Sequence, residues 1–473
     1  MTALTATRPE PVAAVGPEDR LLALCDEGSF RPLRSGVVSR RFEDGARPGD
    51  GVVAGAGRVA GRPVFCYAQD PSFMGGSLGE VHADSIVRVL ELAGNARAPV
   101  VGFVESGGAR LQEGHAALSG YGRIFRASVE LSTVVPQISI VTGVSAGGGA
   151  YSPALTDFVL MTEEARMFLT GPRVVREALG EDVTMDDLGG PLVHGRNGVC
   201  QIVTGGDEGA VAAARELLSL LPQAIGERAP IWSGVEPPVG DPAEPVPAER
   251  RRVYDIRDVC RAIVDGGELL ELSPRWARNM VTGLARIEGR PVGIVANQPR
   301  RLAGVIDAAA ADKAASFVET CNRFRIPLVV LVDTPGFMPG RRQEEAGVIR
   351  HGASLLRAFA GATVPKLTVI VRKAYGGAVI TMNSKDLGAD MVFAWPGAEM
   401  GIMAAGQAVG IVHRRALRAV EDPERERERL AAEYSEEHLT AAAATAAGFV
   451  DEVVEPGETR ARLAWALGTM EGR

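Results

Sequence analysis

Three stretches of this 473-residue chain occur twice, in the same order. GRVAGRPV (57–64) returns as ARIEGRPV (285–292), an offset of 228 residues. APVVGFVESGG (98–108) returns as IPLVVLVDTPG (326–336) at the same offset. VPQISIVTGVSAGGGAY (135–151) returns as VPKLTVIVRKAYGGAVI (364–380) at 229. Three ordered blocks at nearly constant spacing are the signature of a duplicated domain. Duplication also answers a constraint of size, since a chain this long exceeds what one hydrophobic core supports. A join is expected where PIWSGVEPPVGDPAEPVPAERRR (230–252) packs six prolines into a polar stretch, as an extended linker does. The organisation read from the sequence is a disordered lead-in over 1–19, a first copy over 20–229, the linker over 230–252 and a second copy over 253–473.

Within each copy the pattern is strand, helix, strand. VVGFVE (100–105) and LVVLVD (328–333) are continuous apolar runs, as expected of strands buried on both faces. Helical stretches such as EAGVIRHGASLLRAFAGA (345–362) separate them from the glycine-rich segments. The pattern predicts an α/β fold with parallel strands, whose ligands lie beyond the strands' carboxyl ends, where the glycines fall.

Composition narrows the partners. Net charge is −8, with 46% hydrophobic and 23% charged residues and no Lys/Arg block, which argues against nucleic acid. No apolar run reaches the roughly 20 residues that span a bilayer, and the first residues carry no continuous apolar core of a signal peptide. The five cysteines lie far apart with no CxxC, which excludes a zinc ribbon. His115, His194, His351 and His413 lack ligand spacing, so no metal is expected, and a cytoplasmic protein is.

The glycines carry the chemistry. A phosphate loop requires GxxxxGK[ST] and a dinucleotide fingerprint GxGxxG; neither pattern is met. A glycine-rich turn could serve only close packing. The repeat favours function, because Gly147, Gly148 and Gly149 align with Gly376, Gly377 and Ala378, each trio just after a buried strand. Backbone N–H pairs fixed by the fold suit an enolate or similar oxyanion. Two copies imply two such holes and two polarised carbonyls. Glu105 and Asp333 end equivalent strands and either shape the pocket or cap the following loop. Arg110 either meets a phosphate of the substrate or pairs with Glu113.

Six motifs, SGGARLQEG (106–114), SAGGGAYSPALTDF (145–158), FLTGP (168–172), GRPVGIVANQP (289–299), VDTPGFMPG (332–340) and KAYGGA (373–378), resemble the carboxyltransferase (beta) subunits of biotin-dependent acyl-CoA carboxylases, propionyl-CoA carboxylase beta above all. The resemblance runs from about residue 20 to the end. It implies two tandem crotonase-like (ClpP/crotonase) domains, and a hexamer built from dimers, with the site between the first domain of one subunit and the second of another. It also implies transfer of a carboxyl group from carboxybiotin to the α-carbon of an acyl-CoA through an enolate. By that resemblance Gly148 and Gly149 hold the thioester enolate oxygen, and Gly377 and Ala378 hold the biotin ureido oxygen. Gly107, Gly108, Ala109, Arg110, Gly147 and Tyr151 of the first copy, with Gly376, Val379 and Ile380 of the second, bind substrate. Ile380 stands where propionyl-specific members carry an acid.

None of the four lysines (in ADKAA, VPKLT, VRKAY and NSKDL) lies in a Met-Lys-Met-like biotin-attachment hairpin. Biotin is therefore expected on a separate biotin carboxylase/biotin carrier alpha subunit. Two alternatives stay open: a biotin-independent decarboxylase of a β-carboxy thioester or polyketide-type intermediate, and a non-catalytic assembly subunit.

Overall fold

The computed structural model describes residues 16–41, 45–249 and 252–470. Of the expected lead-in 1–19, residues 1–15 lie outside the described residues, and a helix begins at Pro17 (Pro17–Leu24). The chain is α/β throughout and divides into two compact units, residues 1–194 with 203–218, and residues 195–202 with 219–473.

The first unit is built on a sheet of β1 (Arg31–Leu33), β2 (Val52–Val59), β3 (Arg62–Gln69), β4 (Val100–Ser106), β5 (Gln137–Ala146), β6 (Phe158–Thr162) and β8 (Ile202–Thr204) in that spatial order, with β7 (Arg166–Phe168) added on β5. The second unit repeats the plan. Its sheet runs β9 (Leu269–Leu272), β10 (Met280–Ile287), β11 (Arg290–Asn297), β12 (Leu328–Thr334), β13 (Lys366–Tyr375), β14 (Met391–Ala394) and β16 (Glu452–Val453), with β15 (Glu399–Gly401) added on β13. β4 and β12 begin 228 residues apart, β5 and β13 229 apart, so the repeated sequence blocks are the repeated strands.

The central strands are parallel, as their apolar runs require, while the strands at one end of each sheet are antiparallel. β2 and β3, and again β10 and β11, pair antiparallel. The physical reason sits inside the repeated block GRVAGRPV: Ala60-Gly61 and Glu288-Gly289 all have positive φ (49°, 76°, 50° and 76°), the two-residue turn that matches the twist of a hairpin. From β3 the chain crosses through helix Glu80–Ala96 to the parallel β4, and from β4 through helix His115–Leu131 to β5. Helices Ala308–Arg323 and Val348–Gly361 do the same in the second unit. β12 is buried at every position, and its Val329 and Leu331 join Leu367, Val369 and Phe393 in the second core. The second core continues onto helix Thr459–Thr469 through Leu463 and Leu467.

The proline-rich stretch is tied to the second unit at Trp232. Trp232 donates its backbone N–H to Gly289 O (2.9 Å), and a Cβ on Gly289 would fall 1.9 Å from Trp232 O. Residues 250 and 251 lie outside the described residues.

Candidate active site

Each unit ends its longest parallel strand on a glycine that no side chain replaces without strain. β5 runs into Gly147 (φ 57°, ψ −122°), after which helix Gly148–Ala154 starts; β13 runs into Gly376 (φ 63°, ψ −149°), after which helix Gly377–Thr381 starts. The left-handed turn reverses the backbone within one residue. Its N–H is used internally, Gly147 donating to Phe168 O (3.0 Å) and Gly376 to Gly401 O (2.9 Å). The next two residues in each loop occupy the first turn of a helix, where N–H groups have no intrahelical acceptor. Gly148 and Gly149 supply one such pair, Gly377 and Ala378 the other.

The preceding strand brings a second loop alongside. Ser106 at the end of β4 pairs with Ser145 of β5, and Thr334 at the end of β12 pairs with Ala374 of β13. Gly107 is exposed there, Gly108 (φ 100°) lies beside Ala146 O, and Ala109 bridges to Leu78. In the second unit Gly336 (φ 134°) lies beside Tyr375 O, and Phe337 bridges to Ile306. Gly76 and Gly304 approach these strand ends so closely that a Cβ on either would sit 2.3 Å from the carbonyl of Glu105 or Asp333.

Of the two roles open for Arg110, the structure shows the internal one. Its guanidinium is fully buried and Nη1 donates to Asp50 Oδ1 (2.6 Å) and Glu113 Oε1 (2.8 Å), while Nη2 donates to Ser77 O (3.0 Å). The side chain fastens the loop from behind and does not reach its open face. Glu105 and Asp333 are likewise held in ion pairs. Glu105 accepts from Arg20 Nη1 (3.1 Å); Asp333, fully buried, accepts from Arg372 Nε (3.1 Å) and Tyr254 Oη (2.8 Å) and faces Lys373 Nζ at 3.2 Å. Burial beside that carboxylate pushes the Tyr254 phenol well above its ordinary range, so it remains a donor.

The two sites differ in what lies next to the N–H pair. In the second unit a cavity of about 590 Å³ adjoins Gly376 and Gly377, its wall formed by Val379, Ile380, Ile402 and Phe449 among others. Ile380 is 51% exposed and turns an apolar side chain to it. In the first unit Tyr151, 52% exposed, borders a shallow apolar depression with Phe125, Val129 and Leu155. Behind the first loop stands a residue the sequence reading does not single out, Tyr121. It is buried on helix His115–Leu131 at an apolar-face position, the same pattern an ordinary core residue gives. Ser145 is likewise hidden within an apolar strand.

Among the described residues no group of three or more His, Cys, Asp or Glu side chains could hold a metal ion. All five cysteines are buried and none forms a disulfide. His351 pairs with Asp312 and His194 with Met167 O. Among the described residues no helix is long and apolar enough to cross a membrane.

Comparison with known proteins gives this arrangement a family. The carboxyl transferase domain family matches residues 17–471. The methylmalonyl-CoA carboxyltransferase 12S subunit of Propionibacterium freudenreichii subsp. shermanii is 47% identical over 93% of this chain and 84% of its own length. The methylmalonyl-CoA decarboxylase subunit alpha of Propionigenium modestum is 43% identical over 96% of this chain and 90% of its own. The crystal structure of transcarboxylase 12S, described as a hexamer with methylmalonyl-coenzyme A and methylmalonic acid bound, superposes with a TM-score of 0.93 at 45% identity, covering 97% of this chain and 89% of that one. The duplicated sheets and paired glycine turns are thus those of an enzyme, and the chain belongs to the carboxyl transferase family as a carboxyltransferase (beta) subunit of the biotin-dependent acyl-CoA carboxylase type.

Proposed function

We propose that the chain catalyses carboxyl transfer between biotin, carried on a separate alpha subunit, and the α-carbon of an acyl-CoA. The observation that carries this reading is the duplicated loop, in which a left-handed glycine delivers two helix-first-turn N–H groups twice in one chain. The N–H groups of Gly148 and Gly149 bind the thioester oxygen. They stabilise it most strongly when the α-proton leaves and negative charge moves onto that oxygen, since fixed dipoles need no reorganisation. The N–H groups of Gly377 and Ala378 hold the ureido oxygen of biotin. The cavity of about 590 Å³ beside Gly377 supports this assignment, being of the size and apolar character of a small-molecule site. Biotin supplies the carboxyl group that is moved.

Gly107, Gly108, Ala109, Gly147 and Tyr151 border the substrate from the first loop, and Gly376, Val379 and Ile380 border it from the second. Arg110 contributes by fixing the Gly107–Ala109 loop. The apolar Ile380 favours an uncharged acyl group beside it. The working assembly is a cytoplasmic hexamer built from dimers, supported by the hexamer of the structural relative.

The test is to combine the purified protein with a biotinylated carboxylase partner, ATP and labelled bicarbonate, and to follow label into acetyl-, propionyl- and butyryl-CoA. Label in at least one product is expected. The decarboxylase relative favours a second reading, in which the same N–H pairs serve C–C cleavage. Carbon dioxide release from methylmalonyl-CoA in the absence of any biotinylated protein, with no labelled acyl-CoA, would replace the first reading by the second.

A further inference from the structure

The first glycine loop is backed by hydroxyl groups that the second lacks. Tyr121 Oη and Ser106 Oγ lie 3.1 Å apart, and Ser106 Oγ also accepts the N–H of Gly108 at 3.3 Å. The Tyr121 ring sits directly beneath Gly148, where a Cβ would meet ring carbons at 2.8 Å. Ser145 Oγ donates to Gly149 O at 2.8 Å. All three side chains are at most 5% exposed. A single buried side chain, Tyr121, therefore touches both walls of the site: its ring supports the helix that starts at Gly148, and its hydroxyl ties to the loop that carries Gly107 and Gly108.

In the second unit the Thr334 Oγ1 bond to Gly336 N–H (3.2 Å) repeats the Ser106 bond to Gly108. The rest is not repeated. Ala374 stands where Ser145 does, and the ring near Gly377 is Phe337, from the loop itself and without a hydroxyl. The first loop is consequently braced by two extra hydroxyl groups, those of Tyr121 and Ser145, whereas the second keeps the Thr334 bond and a Thr381 Oγ1 bond to Gly377 O (2.9 Å) within its own short helix.

We infer that Tyr121 is a positioning residue for the acyl half of the reaction, acting through Ser106 and Gly148 to fix the spacing between the Gly107–Gly108 loop and the Gly148–Gly149 N–H pair. This rests on the carboxyl-transfer reading above. A brace of this kind matters most when charge has moved onto the thioester oxygen, so its loss appears in kcat and leaves ground-state binding unchanged. Burial raises the phenol above its ordinary range, and the hydroxyl stays protonated throughout the working pH range.

The test uses the full chain with its biotinylated partner and the acyl-CoA that the wild type carboxylates fastest among acetyl-, propionyl- and butyryl-CoA. Tyr121→Phe keeps the ring and deletes only the hydroxyl. A fall in kcat of about threefold to tenfold is expected, the effect of one buried hydrogen bond, with KM and the calorimetric Kd for that acyl-CoA unchanged. Ser106→Ala is expected to lower kcat at least as far, and the double variant no further than Ser106→Ala alone, because the two share one bond. An unchanged kcat in Tyr121→Phe overturns the inference. So does a loss that disappears on cooling below a lowered Tm, or one that enters through Kd. A wild type that labels no acyl-CoA overturns the underlying reading instead.

Discussion

The two glycine loops share a backbone and differ in their surroundings. Both turn on a residue with φ near 60°, both send the turning N–H to a carbonyl on the added strand, and both leave two N–H groups at a helix start. The first is then crowded: Gly148 lies on the Tyr121 ring and Gly149 against Ser145 Oγ. The second is open: a Cβ on Gly377 would find only Phe337, at 4.0 Å, and Ala378 already carries one. Duplication has kept the donor geometry and let the packing diverge, so that one loop is braced and the other adjoins a cavity.

The largest effect should come from removing a donor. Proline is tolerated at the first position of a helix and lacks the N–H, so Gly377→Pro should lower carboxyl transfer by about 100-fold or more, the scale of one lost oxyanion donor. Its circular-dichroism melting curve should hardly move, whereas Gly148→Pro should lose both activity and Tm because its ring must displace Tyr121.

The strand-end carboxylates come next. Asp333→Asn leaves the buried Arg372 with a neutral partner and should cost about 3 kcal/mol in urea unfolding, as breaking buried pairs does. Glu105→Gln, at the more open equivalent position, should cost less, about 1 kcal/mol. Equal losses would mean that the two strand ends are not distinguished by burial.

A single methyl gives a smaller contrast. Gly148→Ala should destabilise by about 1–3 kcal/mol through overpacking against the ring, while Gly377→Ala should stay within about 0.5 kcal/mol.

The smallest is a pH effect confined to the first unit. His82, fully buried, is held near a pKa of about 3 by burial and occupies the place that Ala310 fills in the second unit. Gln69 Oε1 is engaged by Glu105 N–H, so its Nε2 donates to His82 Nε2 and the imidazole proton sits on Nδ1. Below the ordinary pKa of 6.5 the unfolded chain takes up a proton that the folded one refuses. Stability therefore falls as pH drops from 6.5 towards 3 and is unaffected above it. Tm of wild type should drop by a few degrees more than that of His82→Gln between pH 7 and pH 5.

The duplication, the parallel strands and the positions of both glycine turns were legible because each leaves a periodic or compositional mark. Apolar runs report burial, and three glycines in a row report a backbone that side chains cannot follow. The hairpins were less legible, since Ala60 and Glu288 give no hint of positive φ outside the twist of the strands they join. The proline-rich stretch reads as a linker from its residues alone; its seat on Gly289 is a tertiary contact between distant segments. Tyr121 was hidden for a related reason. An aromatic on the apolar face of a helix looks the same whether it fills a core or supports a turn, and only the position of Gly148 above the ring separates the two. Arg110 stood within a motif whose meaning the sequence could not divide, and its burial with Asp50 and Glu113 did so.

The division into two units has a spectroscopic consequence. All four tryptophans, Trp232, Trp276, Trp395 and Trp465, belong to the second unit, and the first has none. Emission excited at the indole band therefore sees one copy of the fold and is blind to the other. A melt followed by tryptophan fluorescence and one followed by far-ultraviolet dichroism would coincide only if both copies come apart together. A gap between the two curves would time the loss of the braced loop against the open one without any label being added.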